Sequence, residues 1–190
     1  SEKITFPGSQ GHALSASLER PVGEPRAFAL FAHCFTCSKD IFAASRIAGE
    51  LAGHGIAVLR FDFTGLGGSQ GDFANTNFSS NVGDLIAAAE YLSANFQAPK
   101  ILIGHSLGGA AVLAAANNVP SAVAVATIGA PSDPGHVAHL FEGSHELIEN
   151  EGEAEVTLGG RQFKIQKQFI DDISEKHLDN AIPELKKALL

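Results

Sequence analysis

The chain has 190 residues, the size of one domain with at most a modest insertion. Its formal net charge of −8 repels phosphate backbones, so neither nucleic acid nor an anionic membrane surface is expected as a partner. The chain shows no long apolar stretch and no basic-then-apolar leader, and its two cysteines cannot build a disulfide scaffold. We therefore expect a cytoplasmic protein.

Short apolar runs alternate with helical spacing along the first 130 residues. The predicted strands cover residues 4–6, 13–18, 27–32, 56–61, 101–103 and 122–128. The predicted helices cover residues 40–52, 81–96 and 107–117. This β-α-β-α order predicts an α/β fold whose mostly parallel sheet is flanked by helices on both faces.

The pattern changes after Pro131. A hairpin is predicted over residues 156–163, because Gly159 and Gly160 suit the positive φ angles of a tight turn. A helix is predicted over residues 174–187, with an interruption near Pro183, and the final residues 188–190 resemble the start of another buried strand. We interpret residues 132–174 as a small helix-plus-hairpin cap insertion within one domain spanning residues 1–190.

The strongest chemical signal is the sequence Gly-His-Ser-Leu-Gly at residues 104–108, between a predicted strand and a predicted helix. A G-x-S-x-G motif in that setting forms a nucleophile elbow, a tight turn that presents the serine hydroxyl above the sheet. The helix N-terminus aims its amides at the place where an oxyanion would form. Ser106 is therefore the predicted nucleophile, with a structural turn serine as the alternative.

A second segment, His-Cys-Phe-Thr at residues 33–36, follows the strand at residues 27–32. A loop there supplies the second oxyanion donor in an elbow enzyme, so the N–H groups of Leu107 and Phe35 are the predicted pair. Phe35 is placed by analogy, with Cys34 the next choice. His33 is interpreted as a group that fixes the loop. The glycine-rich residues 64–69 lack the Lys-Ser/Thr of a phosphate-binding loop.

These pieces, in this order, resemble the α/β-hydrolase superfamily. Residues 31–40, 60–67, 75–81 and 104–109 are most similar to the hydrolase half of bacterial proteins that fuse an α/β-hydrolase to an OsmC-type peroxide-reducing domain. The resemblance implies a serine hydrolase that acts on a small-molecule acyl ester and requires no cofactor or metal. Gly68 departs from the resemblance, since such loops often carry a bulkier residue there.

The base and acid that activate the serine are less evident. The resemblance implies an acid after the next sheet strand and a histidine after the one that follows, so we expect both beyond Leu190. The chain alone would then be weak or inactive, with an exposed sheet edge open to homodimerisation. The alternative is a self-contained triad of Ser106, Asp133 and one downstream histidine, although Asp133 also suits a helix N-cap. The downstream histidines are His136, His139, His145 and His177.

Cys34 and Cys37 form a C-x-x-C motif after a strand and just before a helix. A helix N-terminus lowers a thiol pKa, so a thiol-redox role is one alternative function. We expect two structural thiols instead, and two ligands alone make a poor zinc site. A non-catalytic binding module that keeps the hydrolase fold is the remaining alternative.

Overall fold

A seven-stranded sheet forms the centre of the protein. The computed structural model describes residues 1–175, 178 and 181–190. The strands of the main sheet are β1 (Glu2–Pro7), β2 (Ala13–Glu19), β3 (Ala27–Ala32), β4 (Ile56–Phe61), β5 (Ile101–His105), β6 (Ala124–Ile128) and β9 (Ala188–Leu189), and β7 (Glu153–Leu158) and β8 (Arg161–Gln166) form a separate hairpin. The α-helices are α1 (Phe42–Gly53), α2 (Phe78–Asn95), α3 (Leu107–Ala115), α4 (His145–Glu151) and α5 (Lys167–Glu175).

The order of the main sheet is β1-β2-β4-β3-β5-β6-β9. Strands β1 and β2 are antiparallel to their neighbours, and all other pairings in this sheet are parallel. The fold class expected from the sequence is therefore confirmed. The parallel arrangement brings the carboxyl ends of β3 and β5 together, and that edge is where the candidate site forms.

The two faces of the sheet explain its uninterrupted apolar strands. In β3, Ala29 and Phe31 pack beneath α1, whereas Phe28, Leu30 and Ala32 join the larger core beneath α2 and α3. Side chains alternate between the faces along a strand, so a strand covered by helices on both faces must be apolar at every position.

The segment between β6 and β9 contains the 3₁₀ helix Pro134–Ser144, α4, the β7–β8 hairpin and α5. We call residues 134–175 the cap. The predicted hairpin is present, and Gly159 and Gly160 take φ angles of 55° and 77° at its turn. In the described part of the chain, no helix is long and apolar enough to cross a membrane.

The helix predicted over residues 174–187 is wrong. Helix α5 begins at Lys167 and ends at Glu175, because Phe169, Ile170 and Ile173 are the apolar stripe that packs on the core. Residues 181–184 form a turn instead, and Pro183 has no N–H with which to continue a helix. Residues 176, 177, 179 and 180 of that prediction lie outside the described residues.

Candidate active site

Ser106 occupies the bend between β5 and α3. Its φ and ψ angles are 54° and −124°, a conformation that L-residues rarely adopt. Such strain costs on the order of 1–3 kcal/mol and persists only where the surroundings impose it. Here the Ser106 N–H donates to Ile128 O at 2.9 Å and Ser106 O accepts from Gly109 N at 2.8 Å. The half-exposed Ser106 side chain makes no capping hydrogen bond to α3.

The glycines of the motif allow the bend to pack this closely. A Cβ at Gly104 would lie 2.3 Å from Gly108 O, and one at Gly108 would lie 2.3 Å from His33 O. Real Cβ atoms do not approach oxygen at such distances. The first turn of α3 therefore rests directly on the backbone that leaves β3, which brings Leu107 beside the loop that contains Phe35.

That loop is a tight turn, which we call the Cys34–Cys37 turn. The Cys37 N–H donates to Cys34 O at 3.1 Å, and Thr36 takes a φ of 58°. A positive φ at the third position is that of a type II turn, where glycine is usual. Phe35 and Leu107 line a common small cavity. Within the described residues, neither the Phe35 N–H nor the Leu107 N–H donates to a protein acceptor, so both are available to a ligand.

His33 fixes the peptide that joins Cys34 to Phe35. Its Nδ1 lies 2.8 Å from Cys34 O and its Nε2 accepts from the Phe63 N–H at 3.4 Å, so Nδ1 carries the proton. Burial lowers the pKa of His33, which keeps the imidazole neutral although Asp62 lies 3.9 Å away. Because the carbonyl and N–H of one peptide point in opposite directions, a fixed Cys34 carbonyl also fixes the direction of the Phe35 N–H.

A buried carboxylate holds the backbone behind this turn. Asp62 is completely buried and accepts hydrogen bonds from Lys39 Nζ at 2.9 Å and from the Gly68 N–H at 2.9 Å. Burial lowers the pKa of Lys39, but its hydrogen bonds to Asp62 and Asp40 outweigh this effect and raise the pKa overall. Lys39 therefore stays protonated, and Asp62 ties the glycine-rich loop to the segment after the Cys34–Cys37 turn.

The cysteines differ from the expectation. Cys34 and Cys37 were expected to be structural thiols, but the structure joins them in a disulfide. The reason is geometric, since the tight turn brings their Cα atoms to 5.3 Å, within the range that a disulfide spans. The prediction failed because the spacing of the motif does not reveal the turn that the residues between the cysteines adopt.

A cavity of about 530 Å³ opens beside Ser106. Apolar groups such as Val137 and Leu140 line it, together with the imidazoles of His136 and His139. Within the described residues, neither imidazole hydrogen-bonds to the Ser106 hydroxyl. The structure thus places two of the downstream histidines at the predicted nucleophile's cavity.

The other members of the self-contained triad are not assembled there. Asp133 accepts a hydrogen bond from the Gly135 N–H at 2.8 Å and caps the 3₁₀ helix, the alternative role that its sequence position favoured. His145 lines a different cavity, beside Glu142 and Glu146. His177 lies outside the described residues.

Sequence reasoning missed one residue that reaches this site. Arg161, at the start of β8 in the cap, donates from Nη2 to Thr36 O and lies over the Phe163 ring at 5.1 Å. Phe163 contacts Phe73, which in turn packs against Phe35. No local signal connects Arg161 with a residue 125 positions away.

The comparisons with known proteins agree with this geometry. Residues 29–183 match the model of the Alpha/beta hydrolase family. The esterase domain of a Rhodothermus marinus protein is 46% identical, with a TM-score of 0.74 over 99% of this chain and 73% of that one. Est1E from Butyrivibrio proteoclasticus is 18% identical, with a TM-score of 0.79 over 100% of this chain and 76% of that one, a likeness of fold alone. The comparison with curated proteins found no match to this chain.

This chain belongs to the Alpha/beta hydrolase family. Its structural neighbours include esterases, and the carboxyl edge of its sheet presents the serine and backbone amides described above.

Proposed function

We propose that the protein is a serine carboxylesterase in which Ser106 is the nucleophile and the N–H groups of Phe35 and Leu107 form the oxyanion hole. The observation that carries the proposal is the positive φ of Ser106 at the bend between β5 and α3. Leu107, which lines the cavity of Ser106, also lines a small cavity with Phe35, and the N–H groups of these two residues have no protein acceptor among the described residues. A structural turn serine would have no need of that arrangement. The 46% identity to an esterase domain supports the same reaction class.

The proposed reaction is acyl transfer to water. Ser106 Oγ bonds to the carbonyl carbon of the ester and loses its proton to a base. The carbonyl oxygen becomes an oxyanion, which accepts hydrogen bonds from the Phe35 and Leu107 amides. The tetrahedral intermediate expels the alcohol, which takes the proton, and water then repeats the sequence on the acyl-enzyme. One such amide is typically worth about 2.7–4 kcal/mol of transition-state stabilisation.

The substrate class follows from the cavity beside Ser106. Its volume of about 530 Å³ and its apolar wall at Val137 and Leu140 suit the uncharged alkyl or aryl group of a small ester. Glu142 and Glu146 line the neighbouring cavity, and their charge disfavours anionic substrates. We therefore propose small neutral acyl esters.

Two imidazoles among the described residues are candidates for the base. His136 and His139 line the cavity of Ser106 without a hydrogen bond to its hydroxyl. Serine is a poor nucleophile without such a contact. We therefore expect slow turnover from these 190 residues, well below that of an assembled triad.

A fluorophosphonate probe tests the nucleophile, because the probe labels a serine only where its hydroxyl is activated. We expect slow labelling at a single site, located at Ser106 by peptide mass spectrometry, and loss of that labelling in Ser106→Ala. Ser132→Ala is the matched control, since Ser132 is exposed in the adjacent cavity. Absence of the label in the wild-type chain, or retention in Ser106→Ala, refutes the proposal.

Hydrolysis of p-nitrophenyl acetate tests the base. If His136→Ala or His139→Ala lowers the rate of hydrolysis toward that of Ser106→Ala, the imidazole removed in that variant is the one that accepts the serine proton. His145→Ala is the control, because His145 lies in the same cap but lines another cavity. Robust hydrolysis by the wild-type chain, unchanged in all three histidine variants, contradicts the expectation of slow turnover and excludes these residues as the base.

A further inference from the structure

The disulfide closes the turn that carries Phe35 of the proposed site. Cys34 and Cys37 are the first and last residues of the turn, and Phe35 lies between them. Cys34 and Phe35 also line a small cavity together with Leu107. The cross-link therefore closes the loop that carries one of the two proposed oxyanion donors.

The conformation of the turn is one that its sequence disfavours. Thr36 is β-branched and has a φ of 58°, a genuine outlier for such a residue. Three contacts oppose its relaxation. They are the disulfide, the Cys37 N–H bond to Cys34 O, and the Arg161 bond to Thr36 O. The disulfide is the covalent one, and the only one of the three that a redox reaction removes.

The direction of the oxyanion donor depends on this conformation. Cys34 O accepts hydrogen bonds from both His33 Nδ1 and the Cys37 N–H, and it shares a peptide plane with the Phe35 N–H. When Thr36 leaves the left-handed region, Cys37 and its N–H move. Cys34 O then loses one of its two donors, and the peptide that presents the Phe35 amide becomes free to tilt.

The two cysteines are also not enclosed in the core. Cys34 and Cys37 are each partly exposed, whereas their neighbours His33 and Thr36 are buried. A disulfide that is partly exposed can be attacked by a thiolate, unlike one enclosed in a core.

We propose that Cys34–Cys37 is a thiol–disulfide exchange site whose co-reactant is a dithiol, and that its reduction lowers the activity of the Ser106 site. A thiolate of the dithiol attacks one sulfur, forming a mixed disulfide and releasing the other cysteine as a thiolate. The second thiol of the reagent then displaces the remaining cysteine. Two electrons and two protons pass to Cys34 and Cys37, and the dithiol leaves as its cyclic disulfide.

The expected size of the effect depends on how far the Phe35 N–H is displaced as an oxyanion donor. Complete loss of one oxyanion donor typically lowers kcat by about 10²–10³-fold. His33 and Arg161 still hold the reduced turn in part, so we expect a fall of about tenfold in the rate of Ser106 labelling. This inference rests on the proposed function, because the rate that changes is that of Ser106.

The experiment compares the full chain before and after dithiothreitol, with mass spectrometry after alkylation to count the free thiols. We expect two alkylated cysteines, fluorophosphonate labelling slowed about tenfold, and recovery of the original rate when the thiols are reoxidised. Cys34→Ala/Cys37→Ala should label slowly with or without dithiothreitol. Equal labelling rates in the oxidised and fully reduced wild-type chains overturn the proposal.

A second readout separates this inference from the proposed function. The ¹⁵N–¹H resonance of the Phe35 amide should shift on reduction, while that of Lys164, in the cap hairpin, should not. If Ser106 is never labelled, the proposed function fails whatever the cysteines do. If Ser106 is labelled at one rate in both states and the Phe35 resonance is unmoved, the exchange site has no influence and only this inference fails.

Discussion

Gly108 is the point at which the elbow touches the backbone that leads from β3 into the Cys34–Cys37 turn, so Gly108→Ala tests this geometry directly. The new methyl group would lie 2.3 Å from His33 O and 2.5 Å from Ala32 O. Ordinary contact begins at 3.4 Å, so α3 and the backbone after β3 must separate by about 1 Å. Overpacking of that kind costs about 1–3 kcal/mol, of which the better helix propensity of alanine restores up to about 1 kcal/mol.

The effect on activity should exceed the effect on stability. A displacement of about 1 Å between reacting groups can cost on the order of 10²-fold in rate, because the two amides no longer converge on one oxygen. The assays are urea unfolding and the rate of fluorophosphonate labelling at Ser106. We expect a folded variant that labels about 10²-fold more slowly than the wild-type chain.

Gly49→Ala is the matched control for this substitution. Gly49 lies in α1, and a Cβ there meets nothing within 4 Å. We expect this variant to gain about 0.5–1 kcal/mol in free energy of unfolding and to label at the wild-type rate. If Gly108→Ala labels as fast as Gly49→Ala, the close contact between α3 and the backbone at Ala32 and His33 does not position the amides, and our reasoning about the site is refuted.

Three further predictions concern His33, Arg161 and Asp133. Burial lowers the pKa of His33, so below about pH 6.5 the unfolded chain binds a proton that the folded chain excludes. The free energy of unfolding, measured by urea titration, should therefore decrease as the pH is lowered through this range. Arg161→Ala should lower kcat for p-nitrophenyl acetate by about tenfold with KM unchanged, because the guanidinium holds Thr36 O rather than the substrate. Asp133→Ala should cost about 1 kcal/mol of stability through loss of its cap and leave Ser106 labelling unchanged.

Each of these predictions has its own control or contrary result. His33→Asn keeps a donor near Cys34 O but does not titrate, so the free energy of unfolding of this variant should depend less on pH. If the pH dependence is the same in the variant and the wild-type chain, it comes from groups other than His33. Lys164→Ala removes a charge from the same strand as Arg161 and should leave kcat intact. Collapse of labelling in Asp133→Ala would instead make Asp133 the acid of a self-contained triad.

The agreement between sequence and structure is best where interactions are local or repeat along the chain. The apolar runs of β3 and β5 predict a doubly covered parallel sheet, because only burial on both faces accounts for apolar residues at every position. The nucleophile elbow is predictable for the same reason, because the close contact between Gly104 and Gly108, on either side of Ser106, is local in the sequence. The G-x-S-x-G spacing therefore indicates its own conformation.

The expectations failed where a conformation depends on distant partners. Helix α5 begins seven residues before the predicted start, because its apolar stripe is selected by the surface on which it packs. The pairing of Cys34 with Cys37 depends on the left-handed conformation of Thr36, which a β-branched residue disfavours and which a hydrogen bond from the distant Arg161 helps to hold.

The amino-acid sequence by itself determined the α/β architecture, the strand–turn–helix around Ser106 and the hairpin at Gly159 and Gly160. Only the tertiary structure decided that Arg161 reaches Thr36 and that two histidines line the cavity of Ser106. The physical reason is the sequence separation over which each interaction acts. Backbone preferences act over a few residues, whereas these contacts arise when the cap folds back over the carboxyl edge of the sheet.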